Sequence, residues 1–315
     1  MVKCSFCNNQ AVIHLGYSNT NLCAKHLVYS VERRVKKTIR EYNMLDGAKH
    51  VGVAVSGGKD SQVLLYLLHK ITKPMGIKLT AILVDEGIKE YRDKIIPDAV
   101  RLADELKVPL EIITFKDIAD YSLDEIMEID KELREDSSCT FCGVFRRYAL
   151  NNAASELGVD RLALGHNLDD MIQSYLMNIL RNEDLLFRFK PIGGAIEDER
   201  FIMRIRPLFK IPEREIATYA VVKGFKSVFV ECPYVREGFR PAVRDFINSL
   251  ESKYPGTKFK ILQHYLKTSK LIAKDFNSGE NEKKKVNTCR ICSAPTSSDV
   301  CKFCSLKQKL NRKRN

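Results

Sequence analysis

Residues 51–61 read VGVAVSGGKDS: a β-branched apolar run, a Ser-Gly-Gly-Lys-Asp-Ser turn, then the helical pattern QVLLYLLHKI. A short run that is apolar at nearly every position fits a strand buried on both faces, as in a parallel sheet. Such a strand delivers the chain to a glycine turn, and a helix starts directly after it. Gly57 and Gly58 let the backbone turn tightly and bring its N–H groups close to an anion. Lys59 adds a mobile positive charge, Ser56 and Ser61 add hydroxyls, and the helix beginning near Asp60 aims its positive end at the same spot. The segment is a pyrophosphate cradle on this reading. It is not a Walker A loop, because Val53 stands where the pattern GxxxxGK[ST] needs its first glycine. An ordinary strand-to-helix turn is the alternative, and the six residues in this strand–turn–helix context favour the anion site.

The alternation continues along the chain. Strands are expected at 51–55, 79–84, 110–114 and 161–164, with a weaker one near 227–231. Helices are expected at 61–72, 94–107, 122–134, 143–157, 168–181, 212–223 and 240–252. Strand–helix alternation of this kind builds an α/β fold, a doubly wound parallel sheet with helices on both faces. The strand ends at Ser56, Asp85 and Gly165 then line one crevice at the carboxyl edge. Asp169 and Asp170 open the helix after Gly165-His166-Asn167. Acids in a first turn are often only dipole partners, yet carboxylates beside a polyphosphate can also hold Mg²⁺ or accept a proton. Asp170 is preferred over Asp169 for that part, and His166 reads as a packed residue rather than a base.

Ten cysteines fall into three groups with none left over. Cys4-x2-Cys7 and Cys23-x2-His26 supply three thiolates and one imidazole, and Cys289-x2-Cys292 with Cys301-x2-Cys304 supplies four thiolates. Two knuckles with a short loop between them are what tetrahedral zinc needs, and four protein ligands leave no open position, so both sites read as structural zinc. Disulfides fit poorly: no signal-peptide pattern precedes Cys4, and a chain of this length can bury a core without staples. The middle group, Cys139-x2-Cys142 with the distant Cys232, lacks a fourth protein ligand. Three thiolates can hold a [4Fe-4S] cluster with one iron open. A redox dithiol at 139 and 142 with a buried Cys232 fits the spacing equally well.

The formal charge is +12, and its placement matters more than its size. Residues 258–315 carry fifteen Lys or Arg against four Asp or Glu, so the rest of the chain is nearly neutral. A basic tail with a zinc knuckle suits an RNA phosphate backbone, although any single lysine there reads as solvated surface. Val28 to Tyr42 is a second basic, helical stretch, residues 258–275 read as an amphipathic helix, and DFNSGENEKKKVN (275–287) is a polar linker. No run is long and apolar enough to cross a membrane, so the protein is expected to be soluble.

SGGKDS after a hydrophobic strand resembles the PP-loop of the ATP pyrophosphatases, of adenine nucleotide α-hydrolase-like fold, which cleave ATP between its α and β phosphates and pass AMP to a substrate. The full order of motifs is an N-terminal CxxC…CxxH, SGGKDS, CxxCGxxRR at 139–147, GHNLDD at 165–170, an ECPY cysteine at 232 and a C-terminal CxxC…CxxC. That order resembles the TtuA-type tRNA 2-thiouridine synthetases, of the TtcA/TtuA group, over almost the whole chain. The resemblance implies ATP-dependent adenylation of a tRNA uridine at O2, then sulfur transfer to give 2-thiouridine. It implies a [4Fe-4S] cluster on Cys139, Cys142 and Cys232, with zinc on both outer sets and Mg²⁺ with the ATP. The ATP-binding residues it implies are Ala54, Ser56, Gly57, Gly58, Lys59, Asp60, Ser61, Val84 and Gly165. The catalytic residues are Lys59, Asp170 and Arg146. Arg146 departs from the family pattern, which has lysine there; arginine keeps the charge but exchanges no proton near neutral pH. The implied organisation is an N-terminal zinc finger (1–27), a PP-loop domain with the iron–sulfur site (28–257), a basic helix and linker (258–286) and a C-terminal zinc finger (287–315). A cytoplasmic homodimer is implied, taking sulfur from a ubiquitin-like thiocarboxylate protein or from sulfide. Two rivals are a PP-loop ligase or amidotransferase acting on a small molecule, and a zinc-finger RNA-binding or redox protein with a vestigial loop. The missing glutaminase domain and the basic tail count against the first.

Overall fold

A computed structural model describes residues 2–130, 137–183, 189–193, 200–226, 231–234, 238–278 and 286–314. The N-terminal knuckle is a hairpin, β1 (Ile13–Leu15) and β2 (Thr20–Leu22), that leads into α1 (Ala24–Glu41) with Cys23 as N-cap. Helix α1 buries Leu27, Val31, Val35, Thr38 and Ile39, one stripe at helical spacing, in the same core cluster as Ile13, Leu15 and Leu22 of the hairpin. Arg34 of the basic stretch is turned inward: its guanidinium lies 2.6 Å from the buried Glu215 carboxylate and donates to the carbonyl of Lys210. That arginine fastens α1 to the core.

The centre is β3 (His50–Ala54), α2 (Lys59–Thr72), β4 (Lys78–Asp85), α3 (Arg92–Leu106), β5 (Leu110–Thr114), α4 (Phe115–Ala119), α5 (Leu123–Asp130), α6 (Ser138–Glu156), β6 (Arg161–Ala163), α7 (Leu168–Leu180), β7 (Met203–Ile205), α8 (Glu213–Val222) and α9 (Arg240–Lys253). The five central strands pair in the order β5-β4-β3-β6-β7, all parallel. The chain winds outward from β3 to β5 on one side, then returns to lay β6 and β7 on the other. Strands β3 and β4 are buried along almost their full length, which matches their unbroken apolar runs. Gly52 sits where a Cβ would meet Ile82 and Val159 at 3.1 Å, so a side chain there would push the sheet from its covering residues.

The doubly wound α/β sheet expected from the sequence is present. Among the described residues the fifth strand of the sheet is the three-residue β7, which the sequence did not indicate, and the strand expected near 227–231 falls on 227–230, which lie outside the described residues. Met-Arg-Ile is too short to carry a periodicity, and its pairing depends on Leu162 and Ala163 lying alongside. Of the expected helix at 122–134, Leu123–Asp130 is helical and 131–134 lie outside the described residues. The helix expected from 143 begins five residues earlier at Ser138, because the Ser137 hydroxyl accepts from the Thr140 N–H and caps it. Cys139 therefore rides on the first turn of α6 and Cys142 begins the second.

After α9 come α10 (Thr257–Ser278), the hairpin β8 (Asn287–Thr288) with β9 (Pro295–Thr296), and α11 (Lys302–Arg314). The C-terminal knuckle is built into a second core cluster: Cys289, Cys301, Phe303, Cys304, Leu306 and Leu310 pack with Phe141 and Phe145 of α6. Phe303 stacks flat on Tyr148, centroids 3.7 Å apart, and edge-on to Phe145 at 4.9 Å. Part of the basic tail is thereby spoken for. The Lys307 ammonium lies 2.8 Å from Asp120, and Lys258 holds the Asp169 carboxylate and Asn248. Phe303→Ala is expected to lower stability by about 3–5 kcal/mol, the usual cost of emptying a buried aromatic site. Urea unfolding measures it.

Candidate active site at the switch point of the sheet

The strand order reverses between the paired strands β3 and β6, so their carboxyl ends form the topological switch point, the place where doubly wound sheets bind ligands. The PP-loop lies there. Gly57 has φ +88° and faces α3 so closely that a Cβ would sit 2.3 Å from the carbonyl oxygen of Ile95; only glycine fits. The Ser56 N–H and Oγ both lie within hydrogen-bonding distance of Ser61 Oγ, which itself donates to the Gly58 carbonyl at 2.9 Å. Gln62 closes the loop from below by donating to the Gly57 carbonyl at 2.7 Å. Gly165 passes over the start of α2, where a Cβ would stand 3.2 Å from the Ser61 nitrogen. Ala54, Ser56–Ser61 and Gly165 are thus one contiguous wall. Val84 is tied to it through Arg92, which donates to the Val84 carbonyl at 2.6 Å and the Ser56 carbonyl at 2.9 Å.

Lys59 does not hang free in the crevice. Its ammonium lies 2.9 Å from Asp60 and 2.7 Å from Glu213. Burial alone disfavours the charge, but the two carboxylates outweigh it and hold the ammonium well above an ordinary lysine. An incoming polyphosphate meets a cation already in place and competes with those carboxylates for it. Burial likewise pushes the Asp60 carboxyl up, against the pull of Lys59. Asp60 in turn accepts from the Asn167 side chain at 3.1 Å. Asn167 caps α7 in a reciprocal capping box with Asp170.

The two acids of GHNLDD separate in role. Asp169 is 3% exposed, accepts the Glu213 N–H at 2.8 Å and pairs with Lys258, so it fastens α8 and α10 to α7. Asp170 is a capping residue, yet burial pushes its carboxyl up to about 6 against the opposing pull of Arg240, 3.8 Å away. Ionising it therefore costs folding free energy. Because the folded value lies above the ordinary 3.8, stability relative to Asp170→Asn is expected to fall as pH rises from about 4 through 6, then to level off. Thermal melts of both proteins across that window measure it. If Asp170 accepts a proton in the reaction, AMP release rises through the same pH and the variant loses that limb. His166 packs edge-on to Phe189, and burial with four surrounding arginines, Arg206, Arg240, Arg146 and Arg204, keeps it neutral.

The outer cysteine sets are drawn to metal spacing. Sulfur–sulfur distances are 3.7 Å for Cys7–Cys23 and 3.6 Å for Cys292–Cys301, and the His26 Nδ1 is 3.3–3.6 Å from Cys4, Cys7 and Cys23. Tetrahedral ligation at about 2.3 Å from zinc to sulfur requires about 3.8 Å between sulfurs, so the donors fit zinc without rearrangement. Backbone N–H groups of Phe6, Cys301 and Cys304 point at Cys4, Cys289 and Cys301 and favour the thiolates.

The central trio is assembled differently. Cys139 and Cys142 stand on α6, and Cys232 approaches from 231–234 into the same core cluster as Cys142, close enough to interact electrostatically with both. Among the described residues, the sets with three or more ligand atoms within 4.8 Å of one another are the two outer ones. The three central sulfurs do not all lie within 4.8 Å of one another, unlike those of the outer sets. Arg146 Nη2 donates to Cys142 Sγ at 2.9 Å and pairs with the buried Glu86, also at 2.9 Å. Glu86 holds its arginine firmly charged, so this position supplies fixed charge, not a proton.

Sequence reasoning did not find Glu213 or Arg92. Glu213 follows Pro212 at the start of α8 and reads as a first-turn acid; Arg92 sits in no motif. No local signal ties either one to the loop.

A PP-loop domain family matches residues 27–250, and a family described as the N-terminal LIM domain of 2-thiouridine synthetase TtuA matches residues 3–28. The chain is 36% identical to the tRNA 2-thiolation protein NcsA of Haloferax volcanii, with 97% of this chain and 98% of that protein covered. It is 36% identical to the tRNA-5-methyluridine(54) 2-sulfurtransferase of Pyrococcus horikoshii, covering 99% and 96%. Among solved structures it is similar to the U34-tRNA thiolase NcsA from Methanococcus maripaludis with its [4Fe-4S] cluster, at 34% identity and a TM-score of 0.81, covering 98% of this chain and 97% of that one. On the PP-loop at the switch point, the three cysteine sets and these full-length relatives, the chain belongs to the TtuA/NcsA-type tRNA 2-thiolation family of PP-loop proteins.

Proposed function

We propose that this chain is a tRNA-uridine 2-sulfurtransferase: it activates a uridine at O2 with ATP and replaces that oxygen with sulfur. The observation that carries the reading is a shared wall. Arg146 touches Cys142 on one side and Glu86 on the other, and Glu86 faces Arg92, whose guanidinium holds the Ser56 carbonyl of the PP-loop. A base bound in the crevice lies between a phosphate cradle and a sulfur-bearing site.

The uridine O2 attacks the α-phosphorus, the α–β bond breaks and pyrophosphate leaves. The loop N–H groups and Lys59 face the charge that develops on the departing oxygens. Asp170 takes the proton lost by the base, which suits a carboxyl pushed up to about 6. Sulfide-level sulfur, as hydrosulfide, then adds at C2, the C2–O2 bond breaks so that O2 leaves within AMP, and the S–H proton passes to N3, leaving 2-thiouridine. Cys139, Cys142 and Cys232 would hold a [4Fe-4S] cluster, which would supply a place to bind sulfur. Arg146 fixes positive charge beside Cys142 and favours its thiolate. Zinc in the two closed outer sets would be structural, and Mg²⁺ would accompany the triphosphate, with Asp60 as an oxygen donor at hand.

Several features support the remaining parts of the reading. Unpaired cysteines that serve metals suit a reducing, cytoplasmic setting. The tail beyond α10 offers tRNA the cations not engaged internally, such as Arg312. Sulfide or a ubiquitin-like thiocarboxylate is the donor, and the working form is a homodimer, as the family resemblance implies. Relatives bear names for both position 34 and position 54. The test is anaerobic incubation of unmodified tRNA with ATP, sulfide and the protein, followed by nucleoside mass spectrometry and mapping of the site. Formation of 2-thiouridine with stoichiometric AMP is expected; AMP release without tRNA, or none with it, overturns the reading.

A further inference from the structure

Helix α1 carries a basic stretch that the site leaves unused. Its buried stripe, Leu27, Val31, Val35, Thr38 and Ile39, faces the core. On the opposite side Lys25, Tyr29, Arg33, Lys36, Lys37 and Arg40 are exposed. At roughly 100° per residue these side chains fall within about 120° of the helix, centred opposite the buried stripe. The acids of α1 lie outside that sector and are engaged, Glu32 with Lys70 and Tyr219, and Glu41 with Lys210. Among the described residues no carboxylate pairs with Lys25, Arg33, Lys36, Lys37 or Arg40. From Lys25 to Arg40 the stripe runs about 22 Å, at about 1.5 Å per residue. The helix beneath it is anchored. Arg34, turned inward, holds Glu215 of α8 and the Lys210 carbonyl, and Glu213 of the same α8 holds Lys59.

We propose that this outer face of α1 is a track for the phosphate backbone of a duplex arm of the tRNA. The inference rests on tRNA being the substrate, as argued above. A row of long cations of one sign meets a backbone that is charged at every residue, and each contact releases a counterion. The row suits a duplex better than a single strand. Single strands are held by successive aromatic platforms, and the stripe has one aromatic ring, that of Tyr29, 62% exposed. Duplex RNA is recognised by shape, through phosphates and 2′-hydroxyls. Lysine, arginine and a tyrosine hydroxyl reach those groups without reading a base. A protein partner fits less well, because the cores of protein interfaces are poor in lysine and in charge. A second copy laid on the same face meets its own positive charge. The contact is therefore independent of sequence, and choice of the uridine falls to the crevice.

The test measures binding of unmodified tRNA to the full-length protein over a range of salt. One variant combines Arg33→Gln, Lys36→Gln, Lys37→Gln and Arg40→Gln, and keeps Lys25, which adjoins His26 of the metal set. All four side chains are exposed, so its melting temperature and its binding of α,β-methylene ATP should match the wild type. If three of the four touch phosphate, the slope of log affinity against log salt should flatten by about 2–3. Affinity at about 0.1 M salt should fall about tenfold or more. Arg33→Gln with Arg40→Gln alone should flatten the slope by a smaller step in the same direction. Arg33→Lys with Arg40→Lys keeps the charges and should retain the wild-type slope, since a backbone contact here needs charge and not a guanidinium fork. The fourfold variant should lose affinity for a double-stranded RNA hairpin of unrelated sequence as it does for tRNA, and much less for single-stranded oligouridine. Unchanged tRNA affinity and slope, a loss confined to the oligouridine, or a flattened slope in the lysine variant overturns the track. A fourfold variant that binds tRNA normally but no longer binds an acidic protein sulfur donor gives the face to that partner and overturns it too. A wild type that binds no tRNA removes the substrate reading itself. A wild type that binds and thiolates tRNA, beside a variant that binds it equally well, removes the track alone.

Discussion

Cys142→Ala is expected to abolish 2-thiouridine formation while tRNA-dependent AMP release continues within a few-fold of the wild type. The two outcomes separate because the cysteine and the PP-loop serve different stages. Removing the sulfur costs little packing, since the side chain is small and lies near the start of α6. The Ser137–Thr140 cap that starts this helix stays in place. Arg146 keeps Glu86 and is not orphaned. What disappears is one of three thiolates, and two are too few to hold a [4Fe-4S] cluster with one open iron. Anaerobically reconstituted wild type should contain about four irons per chain, and the variant close to none. Thiolation that survives within tenfold in the iron-free variant would remove the cysteine site from the sulfur route.

Lys59→Ala is expected to lower AMP formation by about 10²–10³, the usual cost of deleting one preorganised group that faces developing charge. The geometry adds a second effect. Asp60 and Glu213 share this ammonium at 2.9 and 2.7 Å, and without it they confront the phosphates as bare carboxylates. Nucleotide affinity should therefore fall along with the rate. Adding Glu213→Gln to Lys59→Ala should recover part of the affinity and none of the rate, because it removes repulsion without restoring the cation. Binding titration and single-turnover AMP release separate these terms. A single variant that retains AMP formation within a few-fold would show that the loop does not work on a phosphate.

Much of this site was legible because its determinants are local. Ser56 to Ser61 form a turn whose backbone demands glycine at 57, and the surrounding residues supply the strand and the helix. Cys4, Cys7, Cys23 and His26 lie within one short segment, so ligand spacing alone brings them to metal distance; the same holds from Cys289 to Cys304. Expectations weakened wherever the partner was remote. The tail read as a run of free cations, yet Lys258 and Lys307 are engaged with Asp169 and Asp120. Their charges match carboxylates that no pattern links to them. Strand β7 was missed because three residues carry no period, and only alignment beside β6 makes them a strand.

By itself, then, the sequence determined the phosphate loop, the two closed metal sets, the alternating elements and the family resemblance that joined Cys232 to the other two cysteines. Each follows from residues near one another in the chain, where turn geometry and ligand spacing leave few choices, or from the order of such local motifs. The tertiary structure decided which charges meet. Lys59 finds Glu213 across 154 residues, Asp169 is spent on anchoring α8 and α10, and Glu86 comes to hold both Arg92 and Arg146. Those pairings arise because the strand order β5-β4-β3-β6-β7 gathers the carboxyl ends of β3, β4 and β6 into one crevice. A buried charge there must find a counter-charge from whichever element the sheet brings alongside.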